Sequence, residues 1–112
     1  MSQSLYILVV GCGRLGAALA NRLSQLGHSV VVVDINEAAF RALSSDFGGF
    51  QQVGDAAELS VLRQADIHRA DALLAVTGED TLNLMVAQVA RMVFQVSYRY
   101  RLADSLWIFV AR

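Results

Sequence analysis

The residues with the plainest chemical purpose are three glycines and one aspartate. Gly11, Gly13 and Gly16 keep the spacing G-x-G-x-x-G, with Cys12, Arg14 and Leu15 between them, and Asp34 follows 18 residues after Gly16. That set suits a nucleotide held by its phosphates and its ribose. Gly11 allows a sharp turn, Gly13 lets the backbone lie against a pyrophosphate that a Cβ would obstruct, and Gly16 lets a following helix sit close to a sheet. The start of such a helix offers unpaired N–H groups and the positive end of its dipole to an anion. The Asp34 carboxylate can meet the two hydroxyls of an adenine-side ribose, and it would repel a 2′-phosphate, which disfavours the phosphorylated nicotinamide cofactor.

The flanking sequence supplies the elements that must hold these groups. An apolar run over residues 5–10 reads as a strand, and Leu15, Ala18, Leu19, Leu23 and Leu26 recur at helical spacing before Gly27, a residue suited to a left-handed C′ position. His28 falls in the turn and is given no role. The β-branched run over residues 29–34 reads as a strand covered on both faces, ending at Asp34, with Ile35 and Asn36 beside the same pocket. Asn36 can cap a helix with an apolar face of Phe40, Leu43 and Phe47, stopped by Gly48 and Gly49.

A third strand over residues 50–53 leads into Gly54, Asp55 and Ala56, at the carboxyl end where an open parallel sheet binds its ligands. Asp55 can serve there equally as a ligand contact or as a cap for the helix carrying Leu59 and Leu62. A fourth strand over residues 72–76 turns through Thr77 and Gly78, across the crevice from the glycine loop, where a backbone or hydroxyl contact to ligand is expected. The helix after it places Leu82, Met85, Val86, Val89, Ala90 and Val93 on one face, and Met85 and Met92 read as core.

Composition closes several alternatives. The chain has 112 residues, enough for about one domain, and its 55% hydrophobic content with mean hydropathy +0.46 suits a sheet buried on both faces or a surface covered by a partner. All nine basic residues are Arg, so no P-loop or Schiff-base lysine is available. Cys12 is the single cysteine, which suits a reducing cytoplasm, and its small size fits the loop better than a redox role. The opening MSQSLYILVVG lacks the basic region of a signal peptide, and no run of about 18 apolar residues spans a membrane. No metal site, membrane insertion or nucleic-acid partner is expected. Hydride transfer usually needs a general acid or base and a substrate-holding wall, and the chain offers only His28 and His68, both placed away from the cleft.

The pattern predicts an α/β fold: a Rossmann-like, doubly wound parallel sheet in three layers over residues 1–112, with strand order 3-2-1-4-5. Right-handed crossovers place the reversal between strands one and four. The tail, residues 97–112, is less regular. Residues 96–102 alternate Tyr98, Tyr100 and Leu102 against Ser97, Arg99 and Arg101, as in a strand, whereas the bare apolar run over residues 106–110 suits either core packing or an oligomer contact.

Taken together, YILVVGCGRLG, GHSVVVVDIN, FQQVGDA and ADALLAVTGEDTLNLMVAQVA resemble the nucleotide-binding half of the RCK or KTN domain, of the TrkA-N type, over residues 5 to about 96. Beyond the dinucleotide fingerprint the likeness rests on Arg14 inside the loop, the V-G-D-A turn at residues 53–56 and the A-V-T turn followed by N-L-M-V-A-Q at residues 83–88. The resemblance implies a non-catalytic cytoplasmic regulator whose bound nucleotide, NAD(H) or ATP/ADP, controls potassium movement through a membrane-embedded channel or transporter subunit. It implies a homo-oligomer, a dimer or ring, peripheral to the inner face of the membrane through that partner. It implies that the glycine loop and Arg14 meet the phosphates, Asp34 the ribose, and Asp55 and Ala56 the adenine. The cofactor half of an NAD-dependent oxidoreductase is the rival reading. The tail SYRYRLADSLWIFVAR departs from the family, which has there a proline-containing strand and an Asp-Pro turn for which Asp104 and Ser105 would stand in. The family's crossover helix and C-terminal ligand subdomain have no counterpart in these residues.

Overall fold

The computed structural model describes the backbone of residues 4–93, 98–103 and 106–110 and the side chains of residues 4–92. Strands β1 (Tyr6–Val10), β2 (Ser29–Asp34), β3 (Phe50–Val53) and β4 (Ala72–Ala75) alternate with helices α1 (Arg14–Gln25), α2 (Leu59–Gln64) and α3 (Asp80–Val93). β5 (Tyr98–Ala103) and β6 (Leu106–Val110) follow. The first four strands form a parallel sheet in the order β3-β2-β1-β4, flanked by helices, a Rossmann-like topology.

Alternation along the strands divides the core. Leu8, Val10, Val31, Val33, Leu73 and Ala75 pack on one side with Leu62, Ile67, Val86 and Ala90. Ile7, Val9, Val30, Val32, Leu74 and Val76 pack on the other with Ala17, Ala20 and Phe40. Strands buried on both faces explain the continuous apolar runs.

The expected order 3-2-1-4-5 fails at its last place. β6 lies beside β4, antiparallel, with Leu73 opposite Phe109 and Leu74 opposite Ile108, and β5 takes the outer edge as the antiparallel partner of β6. β5 therefore does run parallel to β4, one place farther out, and the returning strand fills the gap. The sequence pattern accounts for the exchange: the alternating Tyr and Arg of β5 suit an edge with one solvated face, whereas the unbroken run of β6 suits an interior strand. The main chain of residues 106–110 is thus part of the sheet; Ser97, Asp104 and Ser105 lie outside the described residues.

Two helical expectations also shift. Residues 37–47 do not make one helix: a 3-10 helix covers Glu37–Ala42, capped by the Asn36 side chain, which accepts from the Ala38 N–H at 3.1 Å. Ser44 ends it, because its N–H donates to Asn21 Oδ1 at 2.9 Å and its hydroxyl to Asp46 Oδ1 at 2.7 Å, bonds that compete with a helical ladder. In α1 the small residues Gly16, Ala17 and Ala20 face the sheet, while Leu15 and Leu26 are exposed, because the helix lies too near the strands for large side chains between them. In α3, Val86, Ala87 and Ala90 are buried with Asn83, whereas Met85 and Met92 lie in solvent and are not core.

α1 ends as its glycine requires. Gly27 takes φ +91°. Its N–H donates to the Ser24 carbonyl at 3.0 Å and the His28 N–H to the Leu23 carbonyl at 3.1 Å. This paired closure turns the chain into β2. His28 has a structural task after all: its Nδ1 accepts the Leu5 N–H at 3.1 Å, at the end of the sheet where β1 begins.

Candidate functional site

At the carboxyl ends of β1 to β4 the turns surround a cleft of about 490 Å³. Its position follows from topology: the chain leaves β1 towards β2 on one side and reaches β4 on the other, so their connecting turns diverge and leave a crevice.

The glycine loop forms one wall. Gly11 has φ +110°, its N–H donates to the Val33 carbonyl at 2.8 Å, and a Cβ on it would stand 2.8 Å from both the Thr77 N and the Val76 carbonyl oxygen. Only glycine admits both the conformation and the contact. A Cβ on Gly16 would lie 1.9 Å from the Gly11 carbonyl oxygen, so α1 packs directly on the loop. Gly13 differs: its φ of −76° is ordinary, and no atom lies within 4 Å of where a Cβ would stand. α1 begins there with no side-chain cap and no acid in its first turn, which leaves donors and the positive end of the dipole for an anion.

Asp34 holds the second wall. Its Oδ2 accepts the Cys12 N–H at 2.8 Å and its Oδ1 accepts the Asn36 N–H at 2.8 Å. The carboxylate thus shapes the glycine loop before any ligand is considered. Each oxygen keeps further acceptor capacity for a hydroxyl. On the third wall, Asp55 Oδ1 accepts the Ala57 N–H at 2.9 Å, so it closes its own turn; the N-cap of α2 is Glu58, not Asp55.

Opposite the glycine loop stands Thr77. Its N–H and its hydroxyl both donate to Asn83 Oδ1, at 2.9 and 2.6 Å, and its carbonyl accepts from Asn83 Nδ2 at 3.0 Å. Little remains of Thr77 for a ligand beyond a hydroxyl lone pair. Asn83 itself is 0% exposed.

Of the residues expected at the site, Gly11, Gly13, Asp34, Ile35, Asn36, Gly54, Asp55, Ala56, Thr77 and Gly78 all border the cleft. Cys12 is buried within the loop, Gly16 is buried in the first turn of α1 against the Gly11 carbonyl, and Arg14 and Leu15 are exposed on that turn, all four outside the lining. Val10, Val33, Ala39, Glu79 and Leu82 complete the lining and were not among the residues expected to contact ligand. Three carboxylates, Asp34, Asp55 and Glu79, border the cleft, and no basic side chain does among the described residues.

Burial, and then the Asp34 carboxylate, push the Cys12 thiol from its ordinary value of 9.0 up to about 11. The folded protein therefore holds this proton more tightly than the unfolded chain does. The stability it contributes is full below about pH 9 and is lost as pH rises to about 11. Thermal unfolding of the wild-type chain is expected to fall more steeply over that window than that of Cys12→Ala, and parallel curves would contradict the assignment. At neutral pH the thiol is protonated and unreactive.

A parallel sheet flanked by helices, with a crevice at the carboxyl ends of its strands, is a Rossmann-like arrangement. Residues 7–106 match the TrkA-N domain model, and the chain belongs to that family, homologous to the RCK and KTN nucleotide-binding regulatory domains of potassium transporters. It is 44% identical over 92 residues to the Trk system potassium uptake protein TrkA of Streptomyces coelicolor, a match covering 82% of this chain and 41% of that protein. It is 36% identical over 87 residues to a TrkA homolog of Pyrococcus abyssi, covering 78% and 38%. With the Halomonas elongata TrkA the identity is 34% over 89 residues, covering 80% and 20%. The chain thus spans at most about two fifths of these relatives. The fold also matches a structure described as the Shewanella denitrificans Kef CTD in AMP-bound form, with a TM-score of 0.66 and 23% identity over 78% of this chain and 52% of that one.

Proposed function

We propose that the cleft binds an adenine nucleotide, NAD(H) or ATP/ADP, as a regulatory signal, and that the domain thereby controls potassium transport by a membrane-embedded partner. The observation that carries the reading is one cleft lined both by Gly13, with open space at its Cβ position beside the uncapped start of α1, and by Asp34. A phosphate fits the first and a ribose the second. Relatives named as potassium uptake proteins, and a structural neighbour described as AMP-bound, support the same assignment. In this reading the domain works in the cytoplasm, as a dimer or ring, and reaches the inner face of the membrane through its partner. No helix among the described residues is long and apolar enough to cross a membrane.

The reading is of a sensor without catalysis. Neither histidine borders the cleft: His28 holds the Leu5 N–H, and His68 sits in a 3-10 helix, Ile67–Arg69, before the amino end of β4. The carboxylates that do border it have structural partners in the cases of Asp34 and Asp55.

Mass spectrometry of ligand released from protein purified without added nucleotide tests the reading; a chain that carries none and binds none on titration would end it. Arg14 gives a second test. Arg14 opens α1 and is exposed, so in this reading its guanidinium meets a terminal phosphate, and Arg14→Ala is expected to weaken ATP about two- to fivefold, as for an exposed charge pair, and AMP hardly at all. Equal loss for ATP and AMP in calorimetry would remove Arg14 from the terminal phosphate.

A further inference from the structure

Asn83 is the buried polar residue that the binding scheme above leaves without a role, and its geometry is unusually committed. It belongs to α3, yet its side chain spans the whole of Thr77: Oδ1 accepts the Thr77 N–H and hydroxyl, and Nδ2 donates to the Thr77 carbonyl. The two peptide groups that flank Thr77 are therefore both fixed in orientation.

Planarity carries the consequence further. The described chain has no cis peptide, and in a trans peptide the C=O and N–H point opposite ways. The Thr77 N–H faces Asn83, so the Val76 carbonyl of the same peptide faces away from it. That carbonyl oxygen is indeed the atom 2.8 Å from where a Gly11 Cβ would stand, at the seam with the glycine loop. The Thr77 carbonyl also faces Asn83, so the Gly78 N–H of that peptide faces away from the core. Gly78 borders the cleft, with no atom within 4 Å of a would-be Cβ. Along this turn the Thr77 N–H is taken by Asn83 and the Glu79 N–H by the Thr77 hydroxyl at 3.1 Å, while the Gly78 N–H has no partner among the described residues.

We infer that Asn83 is a positioning residue of the nucleotide site: it aims the Gly78 N–H into the cleft as a fixed donor to an anionic or hydroxyl oxygen of the ligand. This rests on the cleft being an adenine-nucleotide site. It adds a donor on the β4 side, opposite the start of α1, so that a phosphate or ribose oxygen is held from both walls of the crevice. It also gives the polar atoms of Thr77 their purpose, which is to be gripped and not to bind.

The test uses the full chain, isotope-labelled, with AMP and NADH as probes. In the wild type, saturating AMP or NADH is expected to shift the Gly78 amide resonance and slow its exchange with solvent. Asn83→Asp keeps the size and the Oδ1 acceptor but sets an oxygen against the Thr77 carbonyl, so the peptide is free to turn. This variant is expected to bind both probes about tenfold more weakly or worse, the scale for a hydrogen bond to a charged group. It should lose the Gly78 response while the Leu15 and Gly16 amides still respond. A folded Asn83→Asp chain that binds within twofold and keeps the Gly78 response would overturn the inference. So would a wild-type Gly78 amide that ignores saturating ligand, a result that needs no variant to fold. A wild-type chain that binds neither AMP, NADH nor ATP would instead bring down the nucleotide reading, and this one with it.

Discussion

Gly16→Ala is expected to cost about 3 kcal/mol or more of stability, at or above the upper end of the usual penalty for overpacking. The added carbon would stand 1.9 Å from the Gly11 carbonyl oxygen and 2.8 Å from its carbon, both backbone atoms of a loop that is itself pinned by Thr77 and by Val33. Neither side can yield cheaply: moving α1 outward opens the core around Ala17 and Ala20, and moving the loop breaks the Gly11 N–H bond to Val33. Against a typical total of about 5–15 kcal/mol this is a large share, and the melting temperature should drop by roughly 10 °C or more. Gly13→Ala is the informative contrast. With an ordinary φ and empty space around the new carbon, it should change stability by less than about 0.5 kcal/mol, yet it intrudes where a phosphate would lie. Melting curves and nucleotide titrations on the two variants separate the roles: a Gly13→Ala chain that melts like the wild type and binds AMP and NADH undiminished would show that the space over Gly13 is not the phosphate site.

That contrast also marks what the sequence could and could not disclose. The glycine spacing was legible because a strand-to-helix turn needs the positive φ of Gly11 and the close approach of Gly16, and the order β3-β2-β1-β4 was legible because crossover handedness leaves few alternatives. The tail was not, since its pairing is decided by contacts distant in sequence: the unbroken apolar run of residues 106–110 suits an interior strand as well as an oligomer contact, and only the pairing with β4 decides between them. Asn83 was hidden by a phase error. Reading the buried stripe of α3 as residues 82, 85, 86, 89, 90 and 93 put Asn83 off the core face, whereas the stripe is centred on Asn83, Val86, Ala87 and Ala90, at i, i+3, i+4 and i+7. A polar residue on the buried stripe of an otherwise apolar helix face is a signal, but only after the sheet has fixed which face is buried. Glu79 and Leu82 reach the cleft solely through the direction in which the β4 turn enters α3, and no residue type foretells that.

Asp34→Ala is expected to weaken AMP, ADP and NADH by about 1.5–3 kcal/mol each, the range for hydrogen bonds to a charged group. The structure adds a complication, because the same carboxylate accepts the Cys12 and Asn36 N–H groups, so its removal leaves the Cys12 N–H without its acceptor in a residue only 1% exposed. Stability should fall as well, by about 1–3 kcal/mol for an orphaned buried donor, and part of the lost affinity would then come from a disturbed loop. Loss of binding alone therefore does not prove a ribose contact. A cycle in ligand and protein does. AMP and its 2′-deoxy and 3′-deoxy analogues differ only in the hydroxyls that Asp34 is assigned to hold, and the analogues leave the loop untouched. In the wild type, deleting a hydroxyl should cost about 1–2 kcal/mol; in Asp34→Ala the same deletion should cost almost nothing, because the partner is already gone. If calorimetry found the deoxy penalty equal in both proteins, Asp34 would be a builder of the glycine loop only, and the ribose would have to be held by another group along the cleft.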